Sequence, residues 1–389
     1  MVTESEPRCM FVTNFCPHYR VQTFALLAKY LKVKFLFYSA GGESYWQAEH
    51  GVQHGEFEHE YLSGVEIART RIAPALVARL WMEEYDVTIK CINGKFALPV
   101  SYLISRLRRK PFVLWTGIWQ TLQTPIHQLM FPVTRYLYRH ADAIVAYGEH
   151  VKRYLVDQGV NEEKVFCAHH AVDNSAYNRS VSNEEIERLR ESLNIPSKDR
   201  VILYVGRLED GKGLEVMLHA FSQLQGSDVT FVLAGKGSAQ VSLEQLAEAL
   251  GIAERIRFAG YVQVEETPTW YAVAYALVLA SVTAANGHKE CWGLVVNEAM
   301  NQGVPVVASD AVGAAAGGLI QHGENGFIVP EGDVAGLVWS LQALLNDPEL
   351  RERMGRDART RISLWDNERM VSGFRRAVEY AWVRRQCRG

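Results

Sequence analysis

Twelve short apolar runs, most of them followed by a longer stretch of helical pattern, punctuate the chain and leave few folds open to it. Six fall in the first half: CMFVTNF (9–15), VKFLFYS (33–39), DVTIKCI (86–92), FVLWTG (112–117), AIVAYG (143–148) and KVFCAHH (164–170). Six more follow: VILYVGR (201–207), VTFVLAG (229–235), IRFAGY (256–261), ALVLAS (276–281), VPVVASD (304–310) and FIVP (327–330). Runs that are apolar without strict alternation suit strands covered by helices on both faces of a parallel sheet. A chain of 389 residues exceeds what one core normally fills. The reading is therefore two α/β domains, 1–172 and 201–364, separated by the polar stretch 173–200 as linker. The tail 365–389 predicts one more helix, with Met370, Phe374, Val378 and Trp382 at fourfold spacing.

Composition excludes several classes of function. A net charge of -3 gives no argument for nucleic acid as a partner. The six cysteines are scattered without CxxC pairs, so neither a zinc site nor a disulfide framework is expected, and a reducing cytoplasm fits best. The opening MVTESEPRCMFVTNF lacks the basic start and long apolar run of a leader, and no stretch reaches membrane-spanning length. Any membrane contact is expected to be peripheral, on the inner face of the cytoplasmic membrane.

Ligands of open parallel sheets sit at the carboxyl ends of strands, where loops lead into helix N-termini. The segment ALVLASVTAANGHKECWGLVVNEAMNQG has that form, with Glu290 on the loop and Glu298 inside the helix that follows. Between them the amides of Trp292, Gly293, Leu294 and Val295 open a helix, a ready site for a phosphate. Alone, two such glutamates read as well as a solvated loop residue and a helix-surface residue. In YVGRLEDGKGLEVMLHAF, Arg207 follows a strand and Lys212 sits in a Gly-flanked turn, so two cations stand where a diphosphate would lie. Two carboxylates flanking a phosphate site, with two cations nearby, match the layout of a nucleoside diphosphate sugar.

The combination of VGRLEDGKG, AGKGS, FAGYV, the E-x7-E segment ECWGLVVNE with AMNQGVPVVAS, and HGENGFIVP resembles glycosyltransferase family 4, whose members have the GT-B fold. The resemblance is dense from about 200 to 335 and one of layout in the N-terminal half. It implies two Rossmann-like domains facing across a cleft, with the C-terminal helix crossing back to the first domain. It also implies a retaining, front-face transfer of a sugar from a nucleoside diphosphate sugar to an acceptor hydroxyl on a glycan, a lipid-linked sugar or a small glycoside. Arg207 and Lys212 would bind the diphosphate, Glu290 the sugar hydroxyls and Glu298 the ribose, with Glu290, Arg207 and Lys212 carrying catalysis. No metal or other cofactor is expected, since no DxD pair appears in a plausible donor loop and the cations already face the leaving group. The donor base stays open among uracil, guanine, adenine and thymine.

The N-terminal half departs from the family pattern. Its first loop is TNFCPHYR, which supplies His18; LWTGIWQTLQTPIHQ supplies Trp115, Gly117 and His127; and HHAVD places His170 where asparagine is frequent. These five are candidate sugar or acceptor contacts, or plain structural residues. From 106 to 139 the basic residues Arg106, Arg108, Arg109, Lys110, Arg135 and Arg139 interleave with aromatic and apolar ones. This segment reads either as a core helix with solvated charges or as a surface for anionic lipid. Competing functions are a nucleotide-sugar epimerase of the same architecture and a non-catalytic nucleotide-sugar-binding subunit. A dinucleotide oxidoreductase would need G-x-G-x-x-G, and GKGSAQ breaks it at Gln240.

Overall fold

The computed structural model describes residues 6–41, 52–67 and 70–387. The first five residues of the opening segment and the last two of the tail lie outside it. The chain divides into two compact units. The first takes residues 1–119, 129–170 and 367–389; the second takes 120–128 and 171–366.

The first unit is built on a seven-stranded parallel sheet. Its strands are β1 (Arg8–Thr13), β2 (Lys32–Phe37), β3 (His59–Tyr61), β6 (Val87–Cys91), β7 (Phe112–Thr116), β8 (Ala143–Ala146) and β9 (Val165–Cys167), in the order β3-β2-β1-β6-β7-β8-β9. A separate hairpin pairs β4 (Val65–Ile67) with β5 (Thr70–Ile72). The six apolar runs of the first half all appear as strands, because β6, β7 and β8 are buried along their whole length and need no polar face. The strands without a sequence signal are β3, half-buried throughout, and β4 and β5, whose short segments bury little.

An aromatic core covers one face of this sheet. Phe11 lies 5.5 Å from Phe24 and 5.2 Å from Phe35, centroid to centroid. Helix Asn367–Gln386 completes it, with the Phe374 ring 5.9 Å from Phe11 and 5.3 Å from Trp115. The tail helix therefore packs with the N-terminal strands, as the resemblance implies. Its buried row runs through Met370, Phe374 and Val378 and then Ala381, leaving Trp382 half-exposed. Twelve residues at 3.6 per turn carry Trp382 about 120° round the helix from Met370, whereas Ala381 is only about 20° away.

The second unit carries a six-stranded parallel sheet: β10 (Arg200–Val205), β11 (Val229–Ala234), β12 (Ile256–Gly260), β13 (Ala274–Leu279), β14 (Val306–Ser309) and β15 (Gly326–Val329). Their order is β12-β11-β10-β13-β14-β15, so connections run one way from β10 and the other way from β13. The polar stretch 173–200 folds onto this unit. Helix Asn183–Ser192, opened by a Ser182–Glu185 capping box, packs on helix Thr267–Val273. Arg190 is buried and donates to the carbonyls of Pro196, Ser197 and Asp199.

Candidate functional site

In the second unit the strand order reverses between β10 and β13, and the loops leaving their carboxyl ends carry the residues singled out above. Two glycines make this crevice possible. Gly213 caps helix Leu214–Ser222 at φ 66°, and a Cβ there would sit 1.8 Å from the Ala280 carbonyl oxygen just beyond β13. Gly293 caps helix Leu294–Asn301 at φ 88°, with Leu279 Cδ2 only 2.7 Å from where a Cβ would stand. At Gly213 no other residue type fits both the left-handed backbone and the approach to a carbonyl; at Gly293 the left-handed backbone favours glycine. The two helix N-termini are thereby drawn in against the end of β13.

The charges meet across this seam. Lys212 forms an ion pair with Glu290, and Ser281 Oγ donates to the same carboxylate at 3.4 Å. Burial alone would raise the Glu290 pKa, but the charge and hydrogen bond of Lys212, helped by His288 and Arg207, hold it below the ordinary carboxylate value. His288 is pushed down, first by burial and then by the cations Lys212 and Arg207, with Glu290 opposing them. Arg207 pairs with Glu209 two residues on. Glu290 is fixed from the other side too: its carbonyl accepts from Gly313 N at 3.0 Å, and the Trp292 carbonyl accepts from Ala314 N at 2.7 Å.

Glu298 lies one turn into helix Leu294–Asn301, where the phenol of Tyr271 donates to it at 2.5 Å and that of Tyr177 also bonds it. Burial outweighs both hydrogen bonds and lifts its pKa to about 7. The Trp292 indole is withdrawn into the core: it is 2% exposed, donates to Asn297 Oδ1 at 2.7 Å and stacks on Trp365. Only the main chain of Trp292 could face a ligand. The amides of Leu294 and Val295 have no carbonyl one turn earlier in their helix, so their donors point out of its positive end. Arg207, Lys212, Glu290, Gly293, Leu294 and Val295 thus gather around the β10 and β13 ends. Ser281, His288, Tyr177 and Tyr271 join as partners, and only Ser281, at the end of a legible strand, carried a positional hint.

The first-unit candidates fare differently. Trp115 is buried in the core, and its ring covers the guanidinium of Arg20 at 4.8 Å. His170 is also buried: Arg20 Nη2 lies 2.8 Å from its Nε2, and Tyr147 stacks on it at 4.3 Å. Burial, and secondarily Arg20, drives the His170 pKa well below the usual imidazole value, so the ring is neutral. Gly117 lies against Tyr147, whose ring stands 2.5 Å from where a Cβ would be. His18 opens the turn His18–Arg20 and meets Tyr19 edge-on. His127 is apart from these: it is exposed, bonded to Thr124 Oγ1 at 2.6 Å, within the stretch grouped with the second unit. Arg20 and Tyr147, which bring Trp115, Gly117 and His170 together, had no sequence signal.

A second polar node of this unit lies where its own strand order reverses, between β1 and β6. Lys90 is fully buried and donates to the Cys91 carbonyl at 2.6 Å and the Asn93 carbonyl at 2.8 Å. Burial brings its pKa down to about 7. Asn93 in turn donates to Asn14 Oδ1 at 2.9 Å and accepts from Tyr38 at 2.7 Å.

Residues 28–176 match the family model described as Glycosyltransferase Family 4, and residues 185–361 match that of Glycosyl transferases group 1. Both models describe glycosyltransferases, and together they take in most of the chain. Similar proteins include an alpha-D-kanosaminyltransferase of Streptomyces kanamyceticus, 35% identical over 44% of this chain and 42% of the relative. Another is a D-inositol 3-phosphate glycosyltransferase of Corynebacterium efficiens, 35% identical over 44% of this chain and 41% of the relative. The chain spans about half the length of the curated relatives it matches. Among solved structures, Anabaena Alr3699/HepE in complex with UDP and glucose superposes with a TM-score of 0.76 at 22% identity, covering 96% of this chain and 99% of that one. Sucrose-phosphate synthase of Thermosynechococcus elongatus gives 0.73 at 19%, over 95% and 98%. What these structures share with the chain is the GT-B fold, two parallel-sheet α/β domains.

Proposed function

We propose that this chain is a family 4 glycosyltransferase that transfers a sugar from a nucleoside diphosphate sugar to an acceptor hydroxyl, with retention of configuration. The observation that carries the reading is the Lys212–Glu290 pair at the strand-order reversal of the second unit, beside two helix N-termini. In this reading the diphosphate lies against Arg207, Lys212 and the amides of Leu294 and Val295. Glu290, kept ionised by Lys212, accepts hydrogen bonds from the sugar hydroxyls, and Glu298 meets the ribose. The acceptor oxygen forms its bond to the anomeric carbon on the face from which the diphosphate leaves, and the acceptor proton passes to a leaving-group oxygen. The protein's part is to hold both partners in line and to stabilise the charge growing on the diphosphate. Cationic side chains and helix amides perform that task here, so the transfer is proposed to run without a metal, in the cytoplasm. The solved Anabaena protein of the same fold binds UDP and UDP-glucose, which makes uridine nucleotides the first to try.

The test is to incubate the protein with UDP-, GDP-, ADP- and dTDP-sugars, with and without EDTA, and to follow nucleotide binding and products by mass spectrometry. The expected result is chelator-insensitive binding of one nucleotide class, slow release of the free sugar, and a glycoside once an acceptor is supplied. Glu290→Ala is expected to lower turnover by about a hundredfold or more while leaving the fold intact. Isomerised sugar nucleotide without any acceptor would instead identify an epimerase. Binding without any turnover would identify a donor-binding subunit. An active Glu290→Ala protein would remove the site assignment.

A further inference from the structure

Helix Pro125–His140 of the first sequence half buries Leu137 and Tyr138 and turns an apolar face outward. Leu129, Met130, Val133 and Tyr136 share that face, and Leu129 is 77% exposed. The helix contains no acidic residue. On the neighbouring helix Ala97–Leu107, whose Tyr102 ring meets Tyr136 edge-on at 6.2 Å, Leu103 and Leu107 are exposed as well, Leu107 at 61%. Soluble surfaces carry single exposed apolar residues routinely, but a row of them on one helix face marks an interaction surface.

Tyr136 also lines a cavity of about 580 Å³. Arg106, Arg139, Lys164, Arg384 and Arg385 contribute to its wall, and Asp142 is its one carboxylate. The fold sets Asp142 2.9 Å from Arg106 and Glu84 3.6 Å from Arg108. That leaves the cavity strongly cationic. Burial, with Arg106 and Arg384 adding to it against Asp142, brings the Lys164 pKa down to about 8. Its ammonium is held by the carbonyls of Arg139 at 2.6 Å and Ala141 at 2.8 Å. Ala141 and Asp142 precede β8 and Lys164 precedes β9, so the cavity opens at the amino ends of the strands. The Lys90–Asn93–Asn14 node lies at the other, carboxyl end of the strands, on the central β1 and β6.

We propose that this face docks on a bilayer containing anionic phospholipid, with Leu129, Met130 and Val133 in the acyl boundary and a headgroup phosphate in the basic cavity. An apolar helix face bordered by arginines is the pattern of a helix lying in the membrane interface. Each basic side chain near an anionic surface adds attraction that falls within a Debye length. Nucleic acid would engage the cations but gain nothing from the apolar row. No helix among the described residues is long and apolar enough to cross a membrane, so the contact is a seat on the surface. The inference is independent of the donor chemistry.

The test is co-sedimentation of the full chain, without donor or acceptor, with phosphatidylcholine vesicles and with vesicles also containing phosphatidylglycerol. Binding to the mixed vesicles is expected to exceed that to phosphatidylcholine by about tenfold or more and to weaken with salt. The double variant Leu129→Ser, Val133→Ser changes only exposed positions; it is expected to lose binding several-fold with an unchanged thermal midpoint. Arg384→Gln with Arg385→Gln is expected to weaken binding to anionic vesicles and flatten its salt dependence. The proposal is overturned by no vesicle binding by the wild type, by equal binding by both variants, or by tight capture of homopolymeric RNA that the Leu129 and Val133 changes leave untouched. Binding of soluble glycerol phosphate without vesicle binding would also overturn it, making the cavity a site for a free anion.

Discussion

At the scale of single residues, the two glutamates of the second unit are set apart by their partners. Glu290 faces an ammonium and stays ionised; Glu298 faces two phenols in a buried place and titrates near neutrality. The folded Glu298 thus holds its proton more tightly than the unfolded chain, where a glutamate titrates near 4.3. Stability from this group is greatest below that value and is lost as pH rises through about 7. Glu298→Gln should therefore stabilise the fold at about pH 8, by at most about 4 kcal/mol, raising the thermal midpoint there and leaving it unchanged near pH 4. Midpoints measured across that range check it, and a uniform shift at all pH values would refute it. The opposite sign holds for Glu290, whose depressed pKa adds stability above the unfolded value that is lost as pH falls through the folded one. Lys212→Ala removes the main force depressing it. The acid limb of the transfer rate is expected to move to higher pH, with kcat/KM lower by about a hundredfold; a pH–rate profile of the variant tests both.

At the scale of elements, the decisive contacts are backbone to backbone. Helix Leu214–Ser222 can start against the end of β13 only because Gly213 has no Cβ to strike the Ala280 carbonyl. Gly251, which follows helix Gln240–Ala249, shares the left-handed backbone at φ 67° but has nothing within 4 Å of a Cβ. Gly251→Ala should thus cost only the conformational penalty of about 1 kcal/mol, whereas Gly213→Ala should cost distinctly more and also weaken nucleotide binding. Urea midpoints of the two variants, with a nucleotide titration of each, separate the effects. The same contrast explains what was legible beforehand. Fully buried parallel strands such as β6, β7 and β8 announce themselves as unbroken apolar runs, and a glycine flanking a cation after a strand marks the turn at Lys212, where the diphosphate is proposed to lie. A three-residue edge such as β3, half-buried and of sequence HEY, has no pattern long enough to read. Lys90 sits inside a legible strand, yet nothing in TIKC says that its ammonium is fully buried and spent on carbonyls. Arg20 and Tyr147 are invisible for a related reason: their value lies in bringing together β1, β7, β8 and β9, far apart in the chain.

At the scale of the whole molecule, sequence order and structural membership part company. The last helix belongs to the unit that contains the first strand, and residues 120–128 belong to the unit that is otherwise built from 171 onward. Each unit has its own core, so two unfolding transitions are expected in calorimetry rather than one. Phe374 is fully buried against Phe11 and Trp115, and Phe374→Ala should destabilise by about 3–5 kcal/mol. That loss should lower only the transition of the first unit, although the residue stands fifteen from the chain's end. A nucleotide that binds at Arg207 and Lys212 should raise only the other transition, by about 2.7 kcal/mol at a hundred times its Kd. Combining the variant with saturating nucleotide should therefore pull the two transitions apart. If nucleotide instead raised the transition that Phe374→Ala lowers, the ligand would be binding the first unit, and the donor site would have to be sought among Arg20, His170 and the Lys90 node.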